Sequence, residues 1–160
     1  MDNDKALRVE LVNLLTKKQA HADFKEAVAD FPEEHFNTVP PGCRYSFWQL
    51  LEHLRLAQKD ILDYITADAY TWPTFPDDYW PDASTETDRE GWQQSVNAFL
   101  ADRQNLVDLI ERPETDLFAP LPNSGERNHN ILREIHIAAS HNAYHTGAFI
   151  LMRQTMGIWG

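Results

Sequence analysis

Apolar residues recur along the chain at helical spacing in four blocks. In the first, Leu7, Leu11, Leu14, His21, Phe24 and Val28 follow one another at intervals of three, four or seven, which predicts one amphipathic helix over 4–30 with Pro32 just past its end. Ser46, three residues before Gln49, has the spacing of a reciprocal cap and opens a second helix, WQLLEHLRLAQKDILDYI, to about residue 66. Thr87 and Glu90 repeat that spacing ahead of Trp92, Val96, Phe99, Leu106 and Ile110, a third helix to about 111 that Pro113 ends. Asn128 or Asn130 caps a fourth helix to Met156, where Gly157 followed by Ile158 suits a left-handed C-terminal cap with an apolar contact. No stretch alternates at period two for long enough to build a sheet. The pattern predicts an all-α fold, a bundle of four helices, in one domain over 1–160.

Residues 67–86, ADAYTWPTFPDDYWPDASTE, interrupt this order with three prolines and five aromatic side chains. A loop this long is usually functional, and one this apolar needs cover. It reads either as a lid over a site or as a contact between two copies of the chain.

Charge narrows the range of partners. With 25 acidic against 14 basic residues the 160-residue chain carries a formal charge of −11, and it has no basic cluster. Nucleic acid and anionic membrane surfaces are therefore excluded as expected partners. The charged N-terminus MDNDKALRVE is not expected to be a signal peptide, and no apolar run approaches the ~20 residues of a membrane span. The single cysteine, Cys43, leaves no intrachain disulfide. A cytoplasmic location is expected.

Candidate chemistry lies in the seven histidines. The stretch SHNAYHTGAF places His141 and His145 four residues apart, on one face of the fourth helix and close enough to share an ion. His53 falls on the face of the second helix that carries Gln49, Leu50, Leu56, Ala57 and Asp60, and so points inward. Two readings stay open: three imidazoles around one metal with open positions, or histidines that are hydrogen-bonded packing residues. His136 is rotated about 140° from the 141/145 face, and His35 and His129 lie in loops or caps. Asn142 stands where a helical zinc protease of the HExxH type needs its glutamate, which argues against that peptidase chemistry.

SFWQLLEHLRLAQKDIL around His53, the loop ending YWP, HNAYHTGAFILMRQTMGIW at the C-terminus and AHADFKEAVADFP near His21 together resemble the DinB-like superfamily over nearly the whole chain. The resemblance implies an up-and-down four-helix bundle, often a homodimer, with a divalent metal held by His53, His141 and His145. The family name refers to induction by DNA damage and not to DNA binding. Relatives imply a metal-dependent enzyme, a thiol transferase or a hydrolase, that uses a low-molecular-weight thiol on a small electrophilic substrate. The alternative is a non-catalytic, metal-dependent protein that binds a small ligand or serves in a stress response. Zn, Ni and Fe all suit imidazole ligands, and binding is expected to weaken as pH falls past about 6.5, where free histidine protonates. Two candidates for a general acid or base are His21, on the inward stripe of the first helix, and Glu134, two turns before His141 and about 10 Å from it along the axis. A carboxylate near a helix start also has a structural explanation, its favourable interaction with the helix dipole. Gln49 and Asp60 share the His53 face and are candidates to orient its ring.

Overall fold

The apolar blocks become helices largely where their spacing ends them. The computed structural model describes residues 2–160, and its helices are α1 (Asn3–Thr16), α2 (Phe24–Val28), α3 (Phe47–Thr66), α4 (Arg89–Glu111) and α5 (Ile131–Thr155). The Ser46 hydroxyl accepts from the Gln49 amide at 3.1 Å while the Gln49 side chain accepts from the Ser46 amide at 2.8 Å, so the reciprocal cap of α3 is complete. Asn130 caps α5 by accepting from the Arg133 amide at 2.9 Å. At the other end of α5 Gly157 takes a φ of 69°, and Ile158 folds back against the core. The start of α4 differs by one residue from expectation. Its cap is Asp88, accepting from the Gly91 amide, while Thr87 is held from outside by Asn37.

The first helix is the larger departure. Residues 4–30 do not form one helix: α1 stops at Thr16, and residues 17–23 cross over before α2. Asp23 begins a new helix because its side chain accepts from the Glu26 amide at 2.8 Å and Glu26 answers the Asp23 amide at 2.9 Å. The seven-residue interval from Leu14 to His21 had bridged this break. Leu14 is 41 % exposed and His21 lies on the surface, so neither belongs to a buried stripe.

Helix α3 packs against α4 and α5, and α1 packs against the same two, which makes the four long helices a bundle with α1 and α3 on its diagonal. Among the described residues there is no strand, only an isolated bridge between Pro120 and Asn130. Among the described residues no helix is long and apolar enough to cross a membrane.

The core is in two parts. At one end Leu11, Leu15, Ile61, Leu106, Ile110 and Ile135 cluster, and at the other Phe24, Phe47, Leu51, Trp92, Phe99 and Phe149. Between them lies a polar layer of His53, Gln58, Arg103, His141, Asn142, His145 and Thr146. Polar groups are costly in such a place unless they are paired. Gln58 is paired on both sides: its amide donates to the Phe99 carbonyl at 2.7 Å, and its own carbonyl accepts from Asn142 at 2.9 Å. That bond fixes the register of α5 on α3, and with it the height at which the histidines face each other.

Ser46 is buried, so its cap is sheltered from water. Ser46→Ala is expected to lower stability by about 1 kcal/mol, read as an earlier midpoint in urea unfolding with an unchanged slope.

Candidate metal centre

His53 leaves α3 toward α5, where His141 and His145 stand one turn apart. The Nε2 atom of His53 lies 3.1 Å from that of His141 and 3.2 Å from that of His145. The ligand atoms of all three residues fall within 4.8 Å of one another. The His53 Nδ1 is 2.7 Å from the Tyr79 carbonyl. A carbonyl only accepts, so this contact places the His53 proton on Nδ1 and leaves Nε2 as a bare lone pair. One lone pair cannot satisfy both neighbouring imidazoles. Among the described residues Nδ1 of His141 and Nδ1 of His145 are buried without partners, on the side of each ring away from the converging Nε2 atoms.

Burial favours the neutral rings. It is the largest cause of the lowered pKa of His53, which the Tyr79 carbonyl partly offsets. His141 is pushed down to about 4 by burial and then by the charge of His53, and His145 to about 4 by burial and then by His141 and His53. All three shifts favour the uncharged ring, the form in which imidazole binds metal. The spacing fits as well. Bonds of about 2.0–2.1 Å to a tetrahedral ion separate the nitrogens by about 3.3 Å, and a right-angled arrangement by about 2.9 Å. The observed 3.1 and 3.2 Å lie between.

The aromatic loop supplies the wall. The indole of Trp80 stacks flat on His53, with ring centroids 3.9 Å apart and planes 4° from parallel. Tyr79, whose carbonyl orients His53, is anchored through its hydroxyl, which donates to Asp60 at 2.7 Å; the Tyr70 hydroxyl donates to the same carboxylate. Burial, and after it Asp60, raises the pKa of both phenols, so they stay donors. Asp60 therefore acts on His53 through the loop and not directly. Gln49 does not touch the ring either. Besides capping α3 it donates to the Ala83 carbonyl at 3.3 Å and ties down the far end of the loop.

The other sequence candidates lie elsewhere. His21 is exposed in the crossover between α1 and α2, where its Nδ1 meets the Ala22 carbonyl. Glu134 is buried in the first turn of α5, bound by Arg133 at 2.5 Å and 3.7 Å from His129, the position that the helix dipole favours. His136 is exposed and donates to the Leu132 carbonyl within its own helix. His129 is more enclosed than a loop position suggests, with its Nδ1 3.1 Å from the Tyr64 hydroxyl.

The DinB superfamily matches residues 17–149 of this chain. The chain belongs to the DinB superfamily. Comparison with curated proteins and comparison with solved structures each gave no match. Within this DinB-superfamily bundle the histidine cluster and the loop that covers it both fall inside the matched residues, whereas all of α1 lies outside them. Sequence reasoning marked the loop as lid or interface, and its YWP end proves to be the part against the histidines. It did not find the Tyr79 carbonyl. A backbone acceptor carries no side-chain signal, and nothing in the identity of residue 79 shows which way its peptide plane turns.

Proposed function

We propose that His53, His141 and His145 hold one divalent transition metal, Zn, Ni or Fe, and that the protein is a metal-dependent enzyme acting on a small electrophilic molecule with a low-molecular-weight thiol as co-substrate. The observation that carries this reading is the convergence of three Nε2 atoms at 3.1 and 3.2 Å with the His53 proton committed to the Tyr79 carbonyl. Held there, a divalent ion supplies Lewis acidity and lowers the pKa of a water or thiol that it coordinates. Three protein ligands are the complement of a reactive site, where a purely structural ion has four. The residues of the chain orient the first imidazole through Tyr79 and Asp60 and exclude water from one of its faces through Trp80. A cavity of about 630 Å³ lined by Leu56, Asp60, Tyr70, Trp72 and Tyr79 lies on the other side of the Tyr79–Asp60 anchor, and none of the three histidines lines it.

Metal analysis of the purified protein tests this first. Supplied with zinc, nickel or iron above pH 7, the chain is expected to hold close to one ion. A screen of thiols with electrophilic acceptors then separates enzyme from non-catalytic binder. Tyr79→Phe keeps the carbonyl but frees the loop from one anchor on Asp60, and is expected to weaken zinc binding by about tenfold, the low end for an outer-shell partner. Competition with a chelating dye measures it.

For the proposed homodimer contact α5 offers a candidate face in addition to the aromatic loop, whose Phe75 and Trp72 are also exposed. Tyr144 is 73 % and Leu151 59 % exposed, and with Ile137 they recur every seven residues on one face of the helix. Such a stripe suits a second helix of the same kind. Leu151→Glu is expected to halve the mass seen in light scattering, and a wild-type monomer at micromolar concentration would contradict the dimer.

A further inference from the structure

The polar layer holds one more charged group, and the histidine cluster makes no use of it. Arg103, on α4, is 8 % exposed. Among the described residues its guanidinium makes no hydrogen bond and no ion pair, and its only close neighbour of note is the Phe99 ring, 6.0 Å away. Asp23 is the carboxylate whose charge reaches it; its Oδ1 accepts from the Glu26 amide at the start of α2, and both Asp23 and Lys17 line the same cavity as Arg103.

The other enclosed arginines are treated differently. Arg153, 6 % exposed, donates to the Ala27 carbonyl at 2.7 Å, the Ala29 carbonyl at 3.0 Å and the Ile158 carbonyl at 3.0 and 3.2 Å. Arg8 donates to the carbonyls of Ile110, Arg112 and Thr115 and pairs with Asp4. A guanidinium cannot shed its proton, so a buried one without a partner is among the costliest groups a fold can carry. Among the described residues Arg103 alone of these three has no protein partner, and its nitrogens are not sealed in but open onto accessible space.

It lines a partly open cavity of about 130 Å³ between the end of α1, the crossover before α2, α4 and α5. That is room for several water-sized groups. Thr146, also buried, and Asn142 line it, and exposed His21 stands at its rim. The planar fork of an arginine matches the paired oxygens of a carboxylate or phosphate group. On a chain of charge −11 such an anion finds no general attraction, so recognition has to come from the cavity itself.

We propose that this cavity is a binding site for a small oxyanion, a carboxylate or phosphate group, held by the Arg103 guanidinium with the Thr146 hydroxyl as a further donor. The site draws on the same two turns of α5 as the histidines but does not depend on a metal. Its occupant is a free acid, a phosphate, or the anionic end of a larger ligand that enters past His21.

The test follows the Arg103 side-chain Nε–H signal by NMR in full-length protein treated with chelator, in Tris chloride at constant ionic strength. Inorganic phosphate and acetate are titrated separately. A saturable shift of that signal with either one is expected, and which of them acts tells a phosphoryl from a carboxylate ligand. In parallel the melting temperature should rise with the same anion in wild type and not in Arg103→Met, which is expected to melt higher than wild type in chloride alone. Arg103→Lys, which keeps the charge and loses the fork, should bind about tenfold more weakly. No shift of the Arg103 signal with either anion up to tens of millimolar, or equal stabilisation of Arg103→Met, overturns the proposal. The chelator keeps the histidines out of the readout, so this result and the metal analysis fail or succeed separately.

Discussion

His145→Ala is expected to abolish stoichiometric metal binding, while His136→Ala, one helix face away, leaves it unchanged. Removing His145 deletes one of three converging nitrogens and leaves His53 and His141 as a two-ligand remnant. The loss should exceed the roughly 10–100-fold that an outer-shell substitution costs. His136 is exposed and its ring is engaged with the Leu132 carbonyl, so the second variant controls for the general effect of losing an imidazole. Both are read by metal content after dialysis against a weak chelator. If both variants keep one ion per chain, the three histidines are packing residues. The pH dependence sharpens the test. Sequence alone places the loss of binding near 6.5, but burial lowers the pKa of all three histidines, His141 and His145 to about 4, so occupancy is expected to persist below 6.5. The same shift has a consequence for stability in the metal-free protein. The folded-state pKa is lowered, so between about 6.5 and 4 the unfolded chain binds more protons. Stability is intact above that window and falls as pH descends through it, which acid unfolding curves of wild type and His145→Ala would separate.

Arg153→Met, at a buried position, is expected to cost about 3 kcal/mol of folding stability. The guanidinium closes the carbonyls of Ala27, in the last turn of α2, of Ala29, just past it, and of Ile158, just after α5, so it joins two chain segments far apart in sequence. It also lies 5.2 Å over Phe31 and 4.9 Å over Trp159. Methionine fills comparable volume but leaves three acceptors without a donor in a partly dry site. Arg153→Lys should recover part of the loss, because an ammonium reaches fewer of the three at once. Chemical denaturation measures both. An unchanged midpoint in Arg153→Met would mean that water replaces the guanidinium without penalty.

How much of this was legible beforehand differs between residues for physical reasons. The long helices were readable because their signals are local: the Ser46–Gln49 cap, the Asn130 cap, Gly157 and the apolar spacing each act within a few residues of themselves. The first helix was misread for the converse reason. A seven-residue interval keeps its phase across a gap, so spacing could not reveal that Asp23 starts the chain afresh. His141 and His145 followed from one helix turn, and the inward face of His53 from its own helix. Their meeting at 3.1 and 3.2 Å did not follow from either.

By itself, then, the sequence determined helix content, most caps, the acidic surface and the faces on which the histidines stand, since each depends on neighbours within a turn or two. Tertiary structure decided what lies between the helices. It set the register of α3 on α5 through Gln58 and Asn142, the Tyr79 carbonyl on His53, the removal of His21 and Glu134 from the centre, and the solitary guanidinium of Arg103. These contacts join residues far apart in the chain, and their energies depend on which groups are desolvated together, a property that no residue possesses before the fold brings them into contact.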